Sequence, residues 1–403
     1  MKLVYKPHQI YSKPSKVFIV KTKNKRKCLE EAVEKSGFKN HLNKKWEESG
    51  RPKGEFRIAI KPNIMTAAYE KDISVYTDVE FVEDLIKMIR DEGYRDIKVV
   101  ESRMVWSLFY EDRTVENVAK MVGYSSTGYE VVDLTDTSKN EKDYDYGDNE
   151  LGIHPAGPEW RDADYRISFA KNKTHFQCYY TGCMKNVYGC LPEEDKLKSY
   201  HGRKRNREFH SCTIAVLDAF DVHFAFLDAY FSGDGLAGLI RDSNPNETNT
   251  IICGENCYAV DWVQGLKMGV GPPKNYVIRR AMERWGMIQI QGKEKPNPDD
   301  LPTIDTEYEG DISPYPNWKN ILPYTDTVVN LIEEFYSVSR FACYILAYRM
   351  HKDYKPVKNW TYRCSWLFRK LFENLDYHRG LILFFILLVF VIALLFGFIT
   401  ADI

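Results

Sequence analysis

The chain has 403 residues, of which 44% are hydrophobic and 28% are charged, so a globular protein is indicated and global disorder is excluded. Lysine and arginine number 56, aspartate and glutamate 57, and the formal net charge is −1. This balance argues against a general nucleic-acid-binding protein, because such proteins usually carry a basic excess. Nine cysteines without a framework spacing favour a reducing compartment over a secreted disulfide scaffold.

The first 295 residues alternate between strand-like and helix-like segments. A capping box from Thr77 to Glu80 predicts a helix that closes near Gly93. The repeated β-α-β order predicts an α/β fold with a largely parallel sheet and helices on both faces. Apolar runs place the strands at residues 17–20, 57–60, 97–100, 129–134, 166–170, 223–228 and 250–253, with further helices at residues 26–38, 210–220, 256–268 and 274–285.

We assign residues 1–295 to the α/β domain, which the charge distribution described below places in the cytoplasm. Two regions of different composition separate it from the end of the chain. Six prolines indicate a linker over residues 296–324. Residues 325–379 are aromatic and basic, which is typical of juxtamembrane helices that lie in the headgroup layer of a bilayer. Packing of these helices on the α/β domain is the alternative.

The end of the chain is strongly apolar. The run from Leu381 to Thr400 reads LILFFILLVFVIALLFGFIT, and its twenty residues would span about 30 Å as a helix, the hydrocarbon thickness of a bilayer. Arg369, Lys370 and Arg379 precede it, so the positive-inside rule places the N-terminal part in the cytoplasm. We therefore expect a single-pass, tail-anchored membrane protein with a transmembrane helix over residues 380–400.

The densest group of reactive side chains follows a predicted strand. The segment Lys171-Asn172-Lys173-Thr174-His175 comes directly after the strand that ends near residue 170. Ligands of open α/β sheets bind at the carboxyl ends of strands, and lysine and histidine supply positive charge and proton transfer. The segment therefore indicates a site for a carboxylate or phosphate, with a solvated basic loop as the alternative.

Further candidates occur on both sides of this segment. Lys61 and Asn63 follow the second strand and would project from the same edge of the sheet. Gly182 allows close approach of the backbone to a ligand, and Lys185 and Asn186 come just after it. Downstream, His201 lies in a basic run that begins at Lys196 and indicates an entrance for an anionic ligand, a surface that faces anionic lipid, or a solvated segment. Asp228 stands at a strand end followed by several glycines, which indicate either a loop around a ligand or a tight turn.

Taken in order, these elements resemble an uncharacterised family, domain of unknown function 362. The resemblance extends over about residues 15–290 and implies a binding role for Asp261. Many relatives carry an appended ferredoxin-like Cys-x-x-Cys-x-x-Cys module, which this chain lacks, so an electron-transfer role is not implied. The motifs that carry the resemblance are Lys61-Pro62-Asn63, Lys173-Thr174-His175, the block from Gly182 to Gly189, His201, Asp228-Ala229 and Ala259-Val260-Asp261.

About twenty residues are also similar to the lactate racemase family. The similar positions are Gly182 to Lys185, Pro192 and His201. Members of that family act on hydroxy acids with a nickel-pincer nucleotide. The likeness implies that Lys185 would anchor cofactor or substrate, while His175 and His201 acted as acid and base.

The expectation is a membrane-tethered cytoplasmic enzyme that acts on a small anionic substrate, with the lipid bilayer as its partner. Reaction, cofactor and protein partners stay open, with a racemase-like isomerase or an oxidoreductase partner as candidates. No metal site is expected, because the cysteine spacings favour separate buried thiols. The alternative is a non-catalytic, membrane-bound ligand-binding or scaffold protein. The catalytic candidates are His175, His201 and Lys185, and the binding candidates are Lys61, Asn63, Lys173, Thr174, Gly182, Asn186, Asp228 and Asp261.

Overall fold

A computed structural model describes residues 8–67, 73–175, 178–193, 196–200, 207–235, 245–285 and 306–318 of the chain. The strands are β1 (Ser15–Lys21), β2 (Ile58–Pro62), β3 (Ile97–Glu101), β4 (Glu130–Asp133), β5 (Tyr144–Asp145), β6 (Ile153–His154), β7 (Tyr165–His175), β8 (Tyr179–Thr181), β9 (Phe224–Gly233), β10 (Asn246–Gly254) and β11 (Thr306–Glu309). The α-helices are α1 (Lys25–Lys35), α2 (Phe38–Ser49), α3 (Val79–Asp91), α4 (Val115–Val122), α5 (Leu134–Thr137), α6 (Pro158–Arg161), α7 (Cys183–Asn186), α8 (Lys196–Tyr200), α9 (Phe209–Ala219), α10 (Cys257–Lys267) and α11 (Tyr276–Trp285).

Nine strands form one sheet, in the order β11-β1-β10-β9-β7-β2-β3-β4, with β8 paired to the end of β7. The central strands β9, β7, β2, β3 and β4 are parallel, which confirms the predicted mostly parallel α/β fold. The first strand departs from the expected β-α-β order. β1 pairs with β10 in antiparallel fashion and lies four positions from β2, so the helices between them do not form a crossover to a neighbouring strand.

Helices cover both faces of the sheet, and alternate strand residues serve the two sides. In β2, Ile58 and Ile60 belong to one hydrophobic core, whereas Ala59 belongs to the other. Apolar residues of α1 to α4 pack in the first core, and those of α9, α10 and α11 pack in the second. Burial on both faces explains why the central strands read as near-continuous apolar runs.

The start of α3 differs from the predicted capping box. The N-cap is Asp78, whose carboxylate accepts a hydrogen bond from the Glu80 backbone N–H at 3.0 Å. Thr77, expected as the cap, instead donates its hydroxyl to the Phe169 carbonyl at 2.8 Å and accepts the Asn63 N–H at 2.9 Å. This hydroxyl thus links the end of β2 to β7, a long-range contact that competes with capping.

The segment assigned to the proline-rich linker contains sheet structure. β11 pairs in parallel with β1, and Tyr315 beyond it is buried in the core. The α/β domain therefore extends past residue 295. In the described part of the chain, no helix combines the length and apolar character needed to cross a bilayer. The predicted juxtamembrane helices and the transmembrane helix over residues 380–400 lie outside the described residues.

Candidate functional site

The connections that follow the two central strands β2 and β7 lie on opposite faces of the sheet. From β2 the chain passes through α3 to β3, and α3 packs in the first core. From β7 it passes through α9 to β9 on the other side, and α9 packs in the second core. A crevice opens outside the carboxyl ends of such neighbouring strands, and open α/β sheets bind their ligands there.

Lysine side chains are concentrated at this edge of the sheet. One of these lysines belongs to β2, two belong to β7, one to α7 and one to α8. Within the described residues, two of the five pair with buried carboxylates and three do not. The five are Lys61, Lys171, Lys173, Lys185 and Lys196, and we refer to them as the lysine cluster.

Lys61 is held by a buried ion pair. Its Nζ lies 2.6 Å from Glu101 Oε2 and also donates to the Pro62 carbonyl at 2.7 Å and to Asn186 Oδ1 at 3.1 Å. Asn186 in turn donates to the Lys61 carbonyl at 2.6 Å, so α7 is tied to the end of β2. A side chain at Gly189 would collide with this ion pair, which explains the glycine.

Lys171 forms a second buried ion pair. Its Nζ lies 2.9 Å from Asp228 Oδ2, and both side chains are almost completely buried. The Asp228 carboxylate also accepts the backbone N–H of Asp78 at 2.9 Å and that of Tyr230 at 3.0 Å. It therefore joins β7, β9 and the start of α3, and removal of either partner would leave an uncompensated buried charge.

Lys173 and Lys196 are buried without a carboxylate partner in the described part of the chain. Lys173 donates to Thr66 Oγ1 at 2.8 Å and to the Val75 carbonyl at 2.6 Å. Lys196 donates to Ser102 Oγ at 2.6 Å. Neutral acceptors fix the positions of both ammonium groups and leave their positive charges unbalanced.

Lys185 is only partly buried. Its Nζ faces the aromatic rings of Tyr188 and Phe209, at 5.8 Å and 6.0 Å from their centroids. Neither a carboxylate nor a hydrogen-bond acceptor contacts this nitrogen among the residues that the structure describes. Lys185 is therefore the member of the cluster best placed to contact a ligand.

The unpaired members of the cluster have lowered pKa values. Burial lowers the pKa of Lys173 well below its ordinary value, and the nearby ammonium groups of Lys185 and Lys171 lower it further. The pKa of Lys185 is lowered by burial and by Lys61. Burial lowers the pKa of Lys196 to about 8. A negative charge among these groups would relieve both the repulsion and the cost of desolvation.

Gly182 and Asp261 contact each other. The Asp261 carboxylate accepts the backbone N–H groups of Cys183 at 2.6 Å and Met184 at 2.9 Å, at the start of α7. A Cβ atom at Gly182 would overlap this carboxylate. Burial raises the pKa of Asp261 to about 7, while the two N–H groups lower it. The glycine thus admits a carboxylate of the protein itself, at the place where the sequence indicated a ligand.

The other predicted residues occupy different positions. Thr174 is buried and donates its hydroxyl to the Gly235 carbonyl. Asn63 accepts a hydrogen bond from Thr66 in the loop after β2. His175 is buried at the last position of β7, opposite Tyr179 of β8. His201 lies outside the described residues.

Glu101 was missed from the sequence, and Lys171 and Lys196 were recognised only as parts of longer segments and not as site residues. Glu101 and Lys171 each occur one residue after a predicted strand, and this position at the carboxyl edge could have identified them. Lys196 begins the basic run around His201, but its contact with Ser102 joins distant parts of the chain and had no signal in the sequence.

The described residues offer neither a grouped set of metal ligands nor reactive thiols. No three His, Cys, Asp or Glu side chains are grouped as metal ligands would be within the described ranges. The seven described cysteines are buried free thiols. Burial raises the pKa of Cys178 and of Cys253 to about 12. Thiolate chemistry is therefore disfavoured at these two positions.

A cavity of about 480 Å³ lies near the start of β7, at the amino-terminal ends of the parallel strands and thus away from the lysine cluster. Arg161 on its wall pairs with Asp162 at 2.7 Å. Arg166 donates to the backbone carbonyls of Ala163 at 2.7 Å and Asp221 at 2.8 Å. The protein itself satisfies these guanidinium groups, so the cavity shows less unbalanced charge than the lysine cluster.

Comparison with known proteins identifies the family. Residues 58–264 match the family model described as "Domain of unknown function (DUF362)", about half of the chain. The chain belongs to this family. The matched range runs from the start of β2 into α10 and contains all five members of the lysine cluster. Membership of DUF362 therefore covers the candidate site and leaves its chemistry open.

Other comparisons add little to the DUF362 assignment. The structure is similar to that of the lactate racemase apoprotein from Thermoanaerobacterium thermosaccharolyticum, with 14% sequence identity and a TM-score of 0.38. The match covers 64% of this chain and 58% of the racemase chain. No curated protein matches the sequence.

The contact between Gly182 and Asp261 can be tested by Gly182→Ala. The added methyl group displaces the carboxylate and leaves two buried N–H groups unsatisfied, so we expect the free energy of unfolding to fall by about 2–4 kcal/mol. Urea denaturation measures this loss. Gly54→Ala is the control, because a Cβ atom there meets nothing within 4 Å. Equal stability of the two variants would contradict the contact.

Proposed function

We propose that the lysine cluster binds a small anionic molecule, a carboxylate or a phosphate, and that the protein acts on it as an enzyme. The observation that carries the proposal is the imbalance of charge at the carboxyl edge of β2 and β7. Five ammonium groups meet there, and two buried carboxylates pair with them in the described part of the chain. An anion would supply the missing negative charge at the end of the sheet where open α/β sheets bind their ligands.

Burial makes this imbalance of charge costly in free energy. An ammonium group removed from water loses its solvation free energy, and an ion pair compensates for this loss only when its geometry is good. Lys173 and Lys196 are positioned by neutral acceptors, so an anion could approach them without breaking an internal ion pair. A charge-assisted hydrogen bond in such a setting contributes about 1.5–3 kcal/mol.

The members of the cluster would have different roles. The paired residues Lys61 and Lys171 hold the elements of this end of the sheet together. Lys173 and Lys196 supply a fixed positive field, and Lys185, whose nitrogen has no acceptor among the described residues, contacts the ligand. His175 at the end of β7, with His201, would transfer protons, the role assigned to them from the sequence.

A non-catalytic ligand-binding or scaffold protein is the second candidate. The internal contacts of Lys61, Lys171 and Asp261 favour it, because these three polar side chains stabilise the fold through partners within the protein. The two functions separate on turnover. A binding protein would retain the anion unchanged, whereas an enzyme would convert it.

We also propose that the protein is tethered to a membrane by the apolar run from Leu381 to Thr400, with the α/β domain facing the cytoplasm. The support is the length of this run and the three basic residues before it. A tether would keep the lysine cluster close to anionic metabolites or lipid headgroups at the membrane surface.

Anion binding can be measured by isothermal titration with inorganic phosphate and with pyruvate. Lys185→Met keeps the length of the side chain and removes its charge, so we expect an affinity about 10- to 150-fold weaker. Because the pKa values of Lys173 and Lys185 are lowered, wild-type affinity should fall as pH rises, well before the ordinary lysine pKa of 10.5. Lys87→Met, at an exposed position of α3, is the matched control.

Two outcomes of this titration would defeat the proposal. One is binding of neither anion by the wild-type protein. The other is an equal loss of affinity in Lys185→Met and Lys87→Met, which would indicate a general effect of surface charge. Anion binding without turnover of any offered substrate would favour the second candidate function.

The tether can be tested by truncation after Arg379 in cells. We expect the full-length chain to resist extraction by alkaline carbonate and the truncated chain to appear in the soluble fraction, because the truncation removes the apolar run. A matched control replaces the run with another apolar sequence of equal length and should restore attachment. Carbonate-resistant retention of the truncated chain would show that the run is not the anchor.

A further inference from the structure

We propose that the anionic ligand is an oxo acid and that Lys185 Nζ condenses with its carbonyl group to form an imine. The inference rests on the proposed function and extends it by naming the class of substrate and the reacting atom. It would make Lys185 a catalytic residue, whereas the other members of the lysine cluster would bind and orient.

The first support is the contrast between Lys185 and the rest of the cluster. Each of the other four nitrogens donates to an oxygen at close range. The N···O distance is 2.6 Å for Lys61, Lys173 and Lys196 and 2.9 Å for Lys171. The Lys185 nitrogen has no such oxygen among the described residues. A nucleophilic amine needs a lone pair that carries no proton, and the ion pairs of Lys61 and Lys171 favour the protonated forms of these two groups. Lys173 and Lys196 are instead held in place by neutral acceptors, away from an approaching carbonyl carbon.

The second support is the surroundings of the nitrogen. Tyr188 and Phe209 present their rings to Lys185, so the amine lies beside apolar surface while the side chain stays partly exposed. Burial and the nearby positive charge of Lys61 lower the pKa of Lys185, which enlarges the fraction of neutral amine at physiological pH. Lysines are activated as nucleophiles by desolvation and by adjacent cations.

The third support is a place for the carboxylate of the same substrate. Lys173 is an electrostatic neighbour of Lys185, and two oxygens contact its ammonium group, which has three N–H donors. No third acceptor contacts this group among the described residues, so one donor is left for a ligand. In a 2-oxo acid the carboxylate is directly bonded to the carbonyl carbon, so anchoring at Lys173 would present that carbon to Lys185.

The step balances without a cofactor or an oxidant. The neutral amine of Lys185 attacks the carbonyl carbon, a C–N bond forms, and the carbonyl oxygen takes up a proton to give a carbinolamine. The nitrogen then loses a proton, the oxygen takes up a second one, and water leaves as the C=N bond forms. The sum is amine plus carbonyl plus one proton giving protonated imine plus water, and the carboxylate balances the charge of the protonated imine.

The test traps the imine on the full-length protein. Pyruvate is added as the probe, sodium borohydride reduces the adduct, and intact mass and peptide mapping locate it. We expect one adduct per chain at Lys185, with a mass gain equal to pyruvic acid less one oxygen atom. Lactate, which has no carbonyl group, should give no adduct. Labelling should fall at least tenfold in Lys185→Met and remain unchanged in Lys87→Met.

Lys185→Arg is the second variant, because it keeps a cation in place and cannot form this imine. We expect it to bind pyruvate in the titration and to remain unlabelled. Absence of an adduct on the wild-type chain, or labelling spread equally over surface lysines, would overturn the imine while anion binding could still hold. Absence of binding as well would overturn the proposed function with it.

Discussion

Buried positive charge at the carboxyl edge of the parallel sheet is the constraint on which this structure depends. Two carboxylates, Glu101 and Asp228, neutralise part of it, and each also joins separate elements. Because a charge buried without its partner is costly, these contacts determine where β2, β7, β9 and the start of α3 meet. The remaining ammonium groups leave the edge electropositive. The same arrangement thus stabilises the fold and leaves positive charge that the proposed anion would neutralise.

The geometry of the short helix α7 follows from a related requirement. Its first N–H groups would be available to an anion, but Asp261 from α10 already accepts two of them. Gly182 permits that approach, and Asn186 ties the other end of the helix to β2. Lys185 is therefore presented on a rigid support. A site built on fixed elements can hold a reacting group in one orientation.

Much of the fold could be predicted from the sequence, because apolar strands and amphipathic helices are local patterns. The antiparallel placement of β1 could not, since nothing in a strand's own residues encodes its direction relative to β10. The order of the motifs along the chain predicted that Lys61, Lys173 and Lys185 lie at the carboxyl end of the sheet. The position of Glu101 after a strand was a signal for the edge, but its pairing with Lys61 was not predictable, because the contact joins residues 40 positions apart. The contact of Gly182 with Asp261 was not predictable for the same reason, since the two residues are distant in sequence.

The most direct measurement of the central claim is a crystal structure of the protein grown with selenate, whose selenium can be located by anomalous scattering. Selenate has the charge and shape of a small oxyanion and needs no turnover. The account predicts a selenium peak at the crevice between β2 and β7, with oxygen atoms within hydrogen-bond distance of Lys185 Nζ and Lys173 Nζ. Selenium peaks elsewhere on the surface, with the lysine cluster unoccupied at saturating selenate, would contradict it.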